Sequence, residues 1–244
     1  GTTCADAIGC TPGAANLTAA NSYITTYNPN GTSGPITIDV SGNVEVGLQV
    51  SAGAGVDPTS GTGGSAGAVT IVAGGNVQIG DKITPSCLGG SCSTPGALPD
   101  ILSFGIIASG YATDFDGGVA GGENGQTAGN GANICVQGAS INLPAGANSA
   151  GGSAIVDAQS GAAGGNGGNI TLIATSGKGS AGAPANGNVV GIVSVGGDAA
   201  AYPGNGGPVA ISGTQLSLTN IYSRGGDTEL APMPTGFGDG GSIT

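Results

Sequence analysis

The chain has 244 residues, of which 54 are glycine and 13 proline; 7% are charged, 3% are aromatic, and Trp and His are absent. This much glycine and proline is typical of low-complexity chains, but 38% of the residues are hydrophobic and recur as short Val, Ile and Leu strands, which predicts an ordered fold. Three Lys and Arg against 14 Asp and Glu give a net charge of −11, which disfavours nucleic acids and anionic membranes as partners. No apolar run approaches the roughly 18 residues of a spanning helix, so we expect no membrane insertion.

Residues 1–34 do not fit the pattern of the rest of the chain. Thr11 and Pro12 are typical of a helix start, with Thr as the N-cap and Pro at the first helical position. We therefore predict a short helix within a small N-terminal cap, because the end of a repeat stack exposes strand edges that need cover. The start at Gly1, without Met or a signal-peptide pattern, favours a processed, mature chain.

From residue 35 to 244 a short aliphatic triplet returns after each glycine-rich run. The first aliphatic residues of successive triplets lie 33, 65, 36, 39 and 34 residues apart; they are Ile36, Val69, Ile134, Ile170, Val209 and Ile243. A nearly fixed period in this range indicates a stack of repeated supersecondary units.

Two more strand segments follow each triplet. One comes after a polar residue, as in 43–46, and the other reads aliphatic-x-Ser/Ala-x-Gly, as in 192–196. Alternating apolar and polar residues place one side chain inward and the next outward. Three short strands per repeat predict an all-β fold: a parallel β-solenoid (β-helix) over residues 35–244, with glycine-rich loops on one edge.

The glycine-rich loops vary in length, as loops on one edge of a solenoid should. They cover residues 53–67, 110–132, 161–168, 196–207 and 225–241. Runs such as GGNGGN have a local period of three, which also suits ordered polyglycine II packing. The 65-residue step contains an insertion of about residues 84–105, which is either a side loop or an extra degenerate repeat.

Five cysteines indicate an oxidising, extracellular compartment or the cell surface. Cys4 and Cys10 form one close pair and Cys87 and Cys92 another, so we predict two local disulfides. Zinc is disfavoured because the chain has no His and no CxxC spacing. Cys135 is the odd residue: it is either a thiol covered by a loop or a thiol that bonds a neighbouring chain.

Two loops carry motifs that could support chemistry. Asp114, Asp116 and Glu123 gather hard oxygen ligands, which predicts a Ca²⁺ site, with a solvated acidic turn as the alternative. Residues 63–67 match GxSxG, but a catalytic triad needs a base and the chain has no His. Cations and aromatic residues are too few for a polysaccharide-processing site, so we expect no enzyme activity and no cofactor other than Ca²⁺.

The middle residue of each triplet should point outward and form a column. Threonine holds this position four times, at Thr37, Thr70, Thr171 and Thr244, and Cys135 and Ala210 interrupt the column. An outward threonine column resembles the face of ice-binding β-solenoids. The alternative is the ordinary preference of threonine for strands.

The cadence GGxGGNITL, GNVxIG and IxSxGG over residues 35–244 resembles the glycine-rich β-helical repeats of secreted bacterial surface proteins, the filamentous-haemagglutinin-like exoproteins. The resemblance implies a non-enzymatic role in adhesion or matrix, although that family's N-terminal secretion motifs are not evident. We predict a structural protein that binds copies of itself, because Ser242, Ile243 and Thr244 begin a repeat that a second chain could extend by strand addition. One alternative is that the chain is a fragment of a longer repeat protein. The others are a monomeric surface adhesin or binding module of such a larger repeat protein, with contacts to a cell surface or matrix, and, less favoured, an ice-binding protein.

Overall fold

The computed structural model describes residues 16–19, 22–55, 63–80, 105–110, 128–144, 146–148, 164–175, 178–181, 191–197, 199, 202–218, 221–227 and 237–244. These ranges contain strands and no helix. The strands are β1 (Leu17–Ala19), β2 (Ile24–Thr25), β3 (Ile36–Val40), β4 (Val44–Val46), β5 (Val50–Ser51), β6 (Val69–Ala73), β7 (Val77–Ile79), β8 (Ile106–Ile107), β9 (Ile134–Gly138), β10 (Ile141–Leu143), β11 (Ala147–Asn148), β12 (Ile170–Ala174), β13 (Lys178–Ala181), β14 (Ile192–Val193), β15 (Val209–Ser212), β16 (Gln215–Leu218) and β17 (Ile221–Tyr222).

The strands form three parallel sheets in which each strand pairs with the strand three places away in the chain. The first sheet has the order β15-β12-β9-β6-β3, the second β1-β4-β7-β10-β13-β16, and the third β17-β14-β11-β8-β5-β2. Three consecutive strands, one from each sheet, therefore form a repeat unit. Units 1 to 5 begin at β3, β6, β9, β12 and β15, which confirms the predicted all-β fold of stacked parallel strands.

Strict alternation of side chains places the core between the sheets. In β6 the side chains of Val69, Ile71 and Ala73 are buried, whereas Thr70 and Val72 between them are half-exposed. The register stacks like on like, so that Ile71 lies beside Ile38 in one neighbouring unit and Val136 in the other. Each fully buried aliphatic side chain contributes about 1.5–3 kcal/mol. A unit needs neighbours on both sides to bury its inward residues.

The segment before residue 35 differs from the predicted helix where the structure describes it. Leu17–Ala19 is a strand that pairs with β4, and β2 pairs with β5, so the parallel pairing begins within the segment assigned to the cap. Leu17, Ala19 and Ile24 pack against the core, and this burial outweighs the local helix-start signals. Thr11 and Pro12 lie outside the described residues.

The 65-residue step is a single repeat unit. β6 pairs directly with β9, from Val69 beside Ile134 to Val72 beside Gln137, so no additional strand of the first sheet lies between them. β8 supplies the third strand of this unit and pairs with β5 and β11. The structure therefore excludes an extra degenerate repeat in the first sheet. Residues 81–104, which hold most of the predicted insertion, lie outside the described part.

Candidate functional site

The described parts of the glycine-rich runs are ordered and hydrogen-bonded to one another. We call them the glycine layer: residues 52–55, 63–67, 108–110, 128–132, 164–168, 194–197, 204–207, 223–227 and 237–241. The segment that leaves the third sheet bonds to the segment that returns to the first, as in Gly67 N–H to Ala52 O at 2.9 Å. Of the two interpretations of the GGNGGN runs, the structure supports ordered packing.

Only glycine allows the segments of this layer to lie so close together. A Cβ atom on Gly64 would lie 2.2 Å from the carbonyl carbon of Gly31, and one on Gly129 would lie 1.7 Å from the carbonyl oxygen of Gly64. Real side chains do not tolerate such distances to backbone atoms. The abundance of glycine therefore reflects a packing requirement between neighbouring units.

A ladder of polar side chains connects the units at the surface of the glycine layer. A side-chain oxygen of one unit accepts a hydrogen bond from the backbone N–H of the next, for example from Asn166 N–H to Asn130 Oδ1 and from Asn205 N–H to Asn166 Oδ1, both at 2.8 Å. The same pattern continues from Asp239 N–H to Asn205 Oδ1 at 2.8 Å. At the other end Thr32, Ser65 and Asn130 are linked in the same way. We call Thr32, Ser65, Asn130, Asn166, Asn205 and Asp239 the polar ladder.

A buried serine joins the glycine layer to the third sheet. Ser194 is fully buried; its Oγ donates to the carbonyl oxygen of Gly168 at 2.6 Å and accepts from the N–H of Gly207 at 3.0 Å. One hydroxyl thus satisfies two backbone groups from different units, which would be costly to leave unpaired when buried. The repeated Ser/Ala of the third strand segment predicted a small residue at this position, but it did not predict the hydrogen bonds between units.

The register places the predicted threonine column in line on the first sheet. Thr37 lies beside Thr70, and Cys135 lies between Thr70 and Thr171. Ala210 follows Thr171, and Thr244 N–H bonds to Val209 O at 3.0 Å. A second outward column beside it is mixed, containing Asp39, Val72, Gln137, Ile173 and Ser212. The face is therefore not a uniform threonine array.

Cys135 is disulfide-bonded, and its partner cysteine lies outside the described residues. The interpretation of Cys135 as a thiol is therefore wrong. The predicted pairs Cys4–Cys10 and Cys87–Cys92 also lie outside the described residues and stay predictions. Because the chain has five cysteines, at most one of these pairs can coexist with an intrachain bond to Cys135.

Two inward apolar side chains near the last described strands are much more exposed than those of the units before them. Ile243 continues the inward column of Ile170 and Val209 but is 52% exposed, whereas those two residues are fully buried. Leu216 continues the inward column of the second sheet and is 43% exposed. Beside Thr244 a recess of about 190 Å³ lies over Ile211 and Ser212. In the part of the chain that the structure describes, Ser242, Ile243 and Thr244 lie beside β15 at the edge of the first sheet.

The predicted Ca²⁺ ligands Asp114, Asp116 and Glu123 lie outside the described residues, so the structure brings none of them together. Within the described ranges, no group of three Cys, Asp or Glu side chains has the arrangement to hold a metal ion. In that part of the chain, no helix has the length and apolar character that a membrane crossing requires. Comparison with protein-family models, curated proteins and solved structures finds no match.

Proposed function

We propose that this protein is a non-enzymatic, extracellular structural protein, a parallel β-solenoid that assembles end to end into a filament, sheath or fibre. The observation that carries the proposal is the edge of the last described unit (the open end), where Ile243 and Leu216 continue inward columns but are 52% and 43% exposed. Such an end is a template for a further parallel strand.

Convergence of the three sheets on one core supports the solenoid. In unit 2, Ile71 from the first sheet, Ile79 from the second and Ile106 from the third are fully buried members of the same apolar cluster. Inward faces that meet in this way are expected of a chain that turns around a common axis once per unit. Solenoids of this kind depend on their neighbours for stability, because each unit contacts only the next.

Strand addition at the open end would bury apolar surface and form backbone hydrogen bonds. Ile243 and Leu216 are each about half exposed, and covering them would contribute roughly 1 kcal/mol apiece. Each new backbone hydrogen bond would add about 0.5–1.5 kcal/mol. The contact joins different surfaces of two copies, so it propagates rather than closing into a dimer.

The placement outside the cell rests on two observations. Cys135 is disulfide-bonded, and disulfides persist mainly in oxidising compartments. The resemblance to glycine-rich repeats of secreted surface proteins implies the same location. In that setting an acidic stack of repeat units would serve as a scaffold.

Electron microscopy and sedimentation of the purified chain test the proposal. We expect filaments that pellet. Leu216→Gln should raise the concentration needed to form them about tenfold, because an unpaired amide at a buried inward position costs about 1–3 kcal/mol and about 1.4 kcal/mol corresponds to a factor of ten. Ser217→Gln is the matched control, because Ser217 is the exposed neighbour of Leu216 on β16.

Isolated particles of the size of one chain would refute the assembly and favour the monomeric adhesin. Thermal hysteresis from such particles would instead favour ice binding. Filaments unaffected by Leu216→Gln would show that the open end is not the contact.

A further inference from the structure

Two aromatic side chains lie at the surface beside the glycine layer, in adjacent units. Tyr202 and Phe237 are each 66% exposed, whereas in the described ranges the apolar core contains no aromatic residue. The N–H of Asp239 donates to Asn205 Oδ1 at 2.8 Å, and counting back from this pair places Phe237 in line with Pro203, the residue after Tyr202. The two rings therefore come from neighbouring positions on one surface.

The backbone that carries these rings is held by hydrogen bonds of the glycine layer. The carbonyl oxygen of Tyr202 accepts from Gly164 N–H at 2.8 Å, and Gly238, the residue after Phe237, donates from its N–H to Gly226 O at 2.9 Å. Aromatic rings that face water on an ordered backbone are typical of binding surfaces, because they offer a large contact area without a further cost of ordering the chain.

A row of amide donors runs along the polar ladder next to the rings. Asn130, Asn166 and Asn205 are exposed, and the Oδ1 of each accepts a backbone N–H of the following unit. A backbone N–H can only donate, so this bond fixes which atom of each amide is the oxygen and leaves its NH₂ group for another partner. Among the residues that the structure describes, no group accepts from these three NH₂ groups.

We infer that this surface binds an extended, uncharged polysaccharide of β-1,4-linked hexoses, which lies along the polar ladder. The inference adds a ligand to the proposed scaffold and does not depend on end-to-end assembly. We call the surface the glycan face. It consists of Asn130, Asn166, Asn205, Asp239, Tyr202 and Phe237.

The chemistry of the glycan face matches the two sides of a sugar ring. Units repeat about every 4.8 Å along the stack, which is close to the length of one hexose in an extended chain, so successive sugars meet successive amides. Sugar hydroxyls accept from the Asn NH₂ groups and donate to the carboxylate of Asp239. Tyr202 and Phe237 lie three and two residues before the ladder, where they are placed to stack on the C–H faces of the sugars.

Charge selects an uncharged ligand. The chain carries a net charge of −11, which repels sulfated or uronate-rich glycans. Arg224 in the glycine layer of unit 5 is paired with Asp227 at 3.3 Å, so its charge is already partly compensated. Binding of a neutral glycan needs neither cations nor a general acid and base. The glycan face is therefore compatible with a protein that has no enzyme activity.

Isothermal titration calorimetry of the purified full chain with cellohexaose tests the inference. Maltohexaose is the matched control ligand, because it has the same sugar and length but a coiled shape. We expect cellohexaose to bind about tenfold more tightly. Tyr202→Ala and Phe237→Ala should each raise the Kd for cellohexaose about threefold or more through the lost ring contact. Tyr23→Ala, which removes a ring that is 64% exposed between β1 and β2, should leave the Kd unchanged.

Asn166→Asp separates the donor from the fold. It keeps an acceptor for the N–H of Asn205 but removes the NH₂ group, so we expect the Kd for cellohexaose to rise about fivefold. Asn142→Asp adds the same charge at an exposed position of β10 in the second sheet and should have no effect.

Three results would overturn the inference: no heat of binding with cellohexaose at millimolar concentration, equal binding of the two hexasaccharides, or equal losses in the face variants and their controls. Filament formation by the parent chain is measured separately by sedimentation. The glycan face and the proposed function can therefore fail independently of each other.

Discussion

A single methyl group in the glycine layer should destabilise this protein more than most surface substitutions can. Gly204 is buried, and a Cβ atom there would lie 1.9 Å from the carbonyl oxygen of Gly165 and 2.6 Å from its carbonyl carbon. Ordinary contact begins at about 3.4 Å. The obstacle is backbone, which has no rotamer to change, so Gly204→Ala must push two units apart.

The cost follows from the hydrogen bonds that such a shift would break. Gly204 donates to Gly197 O, and its own carbonyl accepts from Gly226 N–H, both at 2.9 Å. Leaving a buried backbone group unpaired costs about 1–3 kcal/mol, and overpacking adds about 1–3 kcal/mol. Alanine also lowers the conformational entropy of the unfolded chain, which stabilises the folded protein by only about 0.4–1 kcal/mol. We therefore expect the free energy of unfolding to fall by about 1–5 kcal/mol, with a central value of about 3 kcal/mol.

Urea denaturation followed by far-ultraviolet circular dichroism measures this change, with Gly34→Ala as the matched control. A Cβ atom on Gly34 meets nothing within 4 Å, so the control should lie within about 0.5 kcal/mol of the parent chain. If Gly204→Ala and Gly34→Ala unfold within 1 kcal/mol of each other, roughly the error of such a comparison, close glycine packing is not what holds the layer together.

Three further predictions concern the polar ladder, the core and the net charge. Asn166→Ala should lower the free energy of unfolding by about 0.5–1.5 kcal/mol because the N–H of Asn205 loses its acceptor. Asn166→Asp keeps an acceptor at this position and should retain most of the stability that Asn166→Ala loses. Equal losses of stability in the two variants would contradict the polar ladder. Ile71→Ala should lower the free energy of unfolding by about 2–5 kcal/mol in the same assay. Val72→Ala, at the adjacent half-exposed position, should lower it by under about 1 kcal/mol. Similar losses in the two variants would contradict the assignment of Ile71 to the core. Each copy carries a charge of −11, so copies repel one another at low salt. Raising the salt concentration from about 10 mM to about 150 mM shortens the screening length from about 30 Å to about 8 Å and should increase the amount of filament that pellets. A decrease in pelleted material would mean that attraction between charges drives the contact.

The sequence alone determined the first strand of each unit and the period at which that strand returns. Inward positions such as Ile71 and Ile134 are visible as aliphatic residues at alternate places within triplets of nearly fixed period, because strand alternation and stacking are both local, periodic properties. The outward column of Thr37, Thr70 and Thr171 follows from the same alternation. These features need no knowledge of distant contacts.

Other features were decided only by the tertiary structure, because they depend on which residues lie in the next unit. Leu17–Ala19 is a strand because a neighbouring strand and a core accept it, although the local signals before it favour a helix. The hydrogen bonds from Asn166 to Asn130 and from Asn205 to Asn166 join residues that lie 36 and 39 positions apart in the sequence. These hydrogen bonds could be predicted from the sequence only if the register between neighbouring units were already known.

Cysteine pairing and the 65-residue step show the same limit. Proximity in sequence favoured two local disulfides and left Cys135 without a predicted partner, whereas Cys135 is disulfide-bonded. The direct pairing of β6 with β9 likewise shows that a long connection can leave and rejoin the stack without adding a first-sheet strand. Periodicity in the sequence therefore predicts the strands that each unit contains, whereas packing between units decides which distant segments lie beside one another.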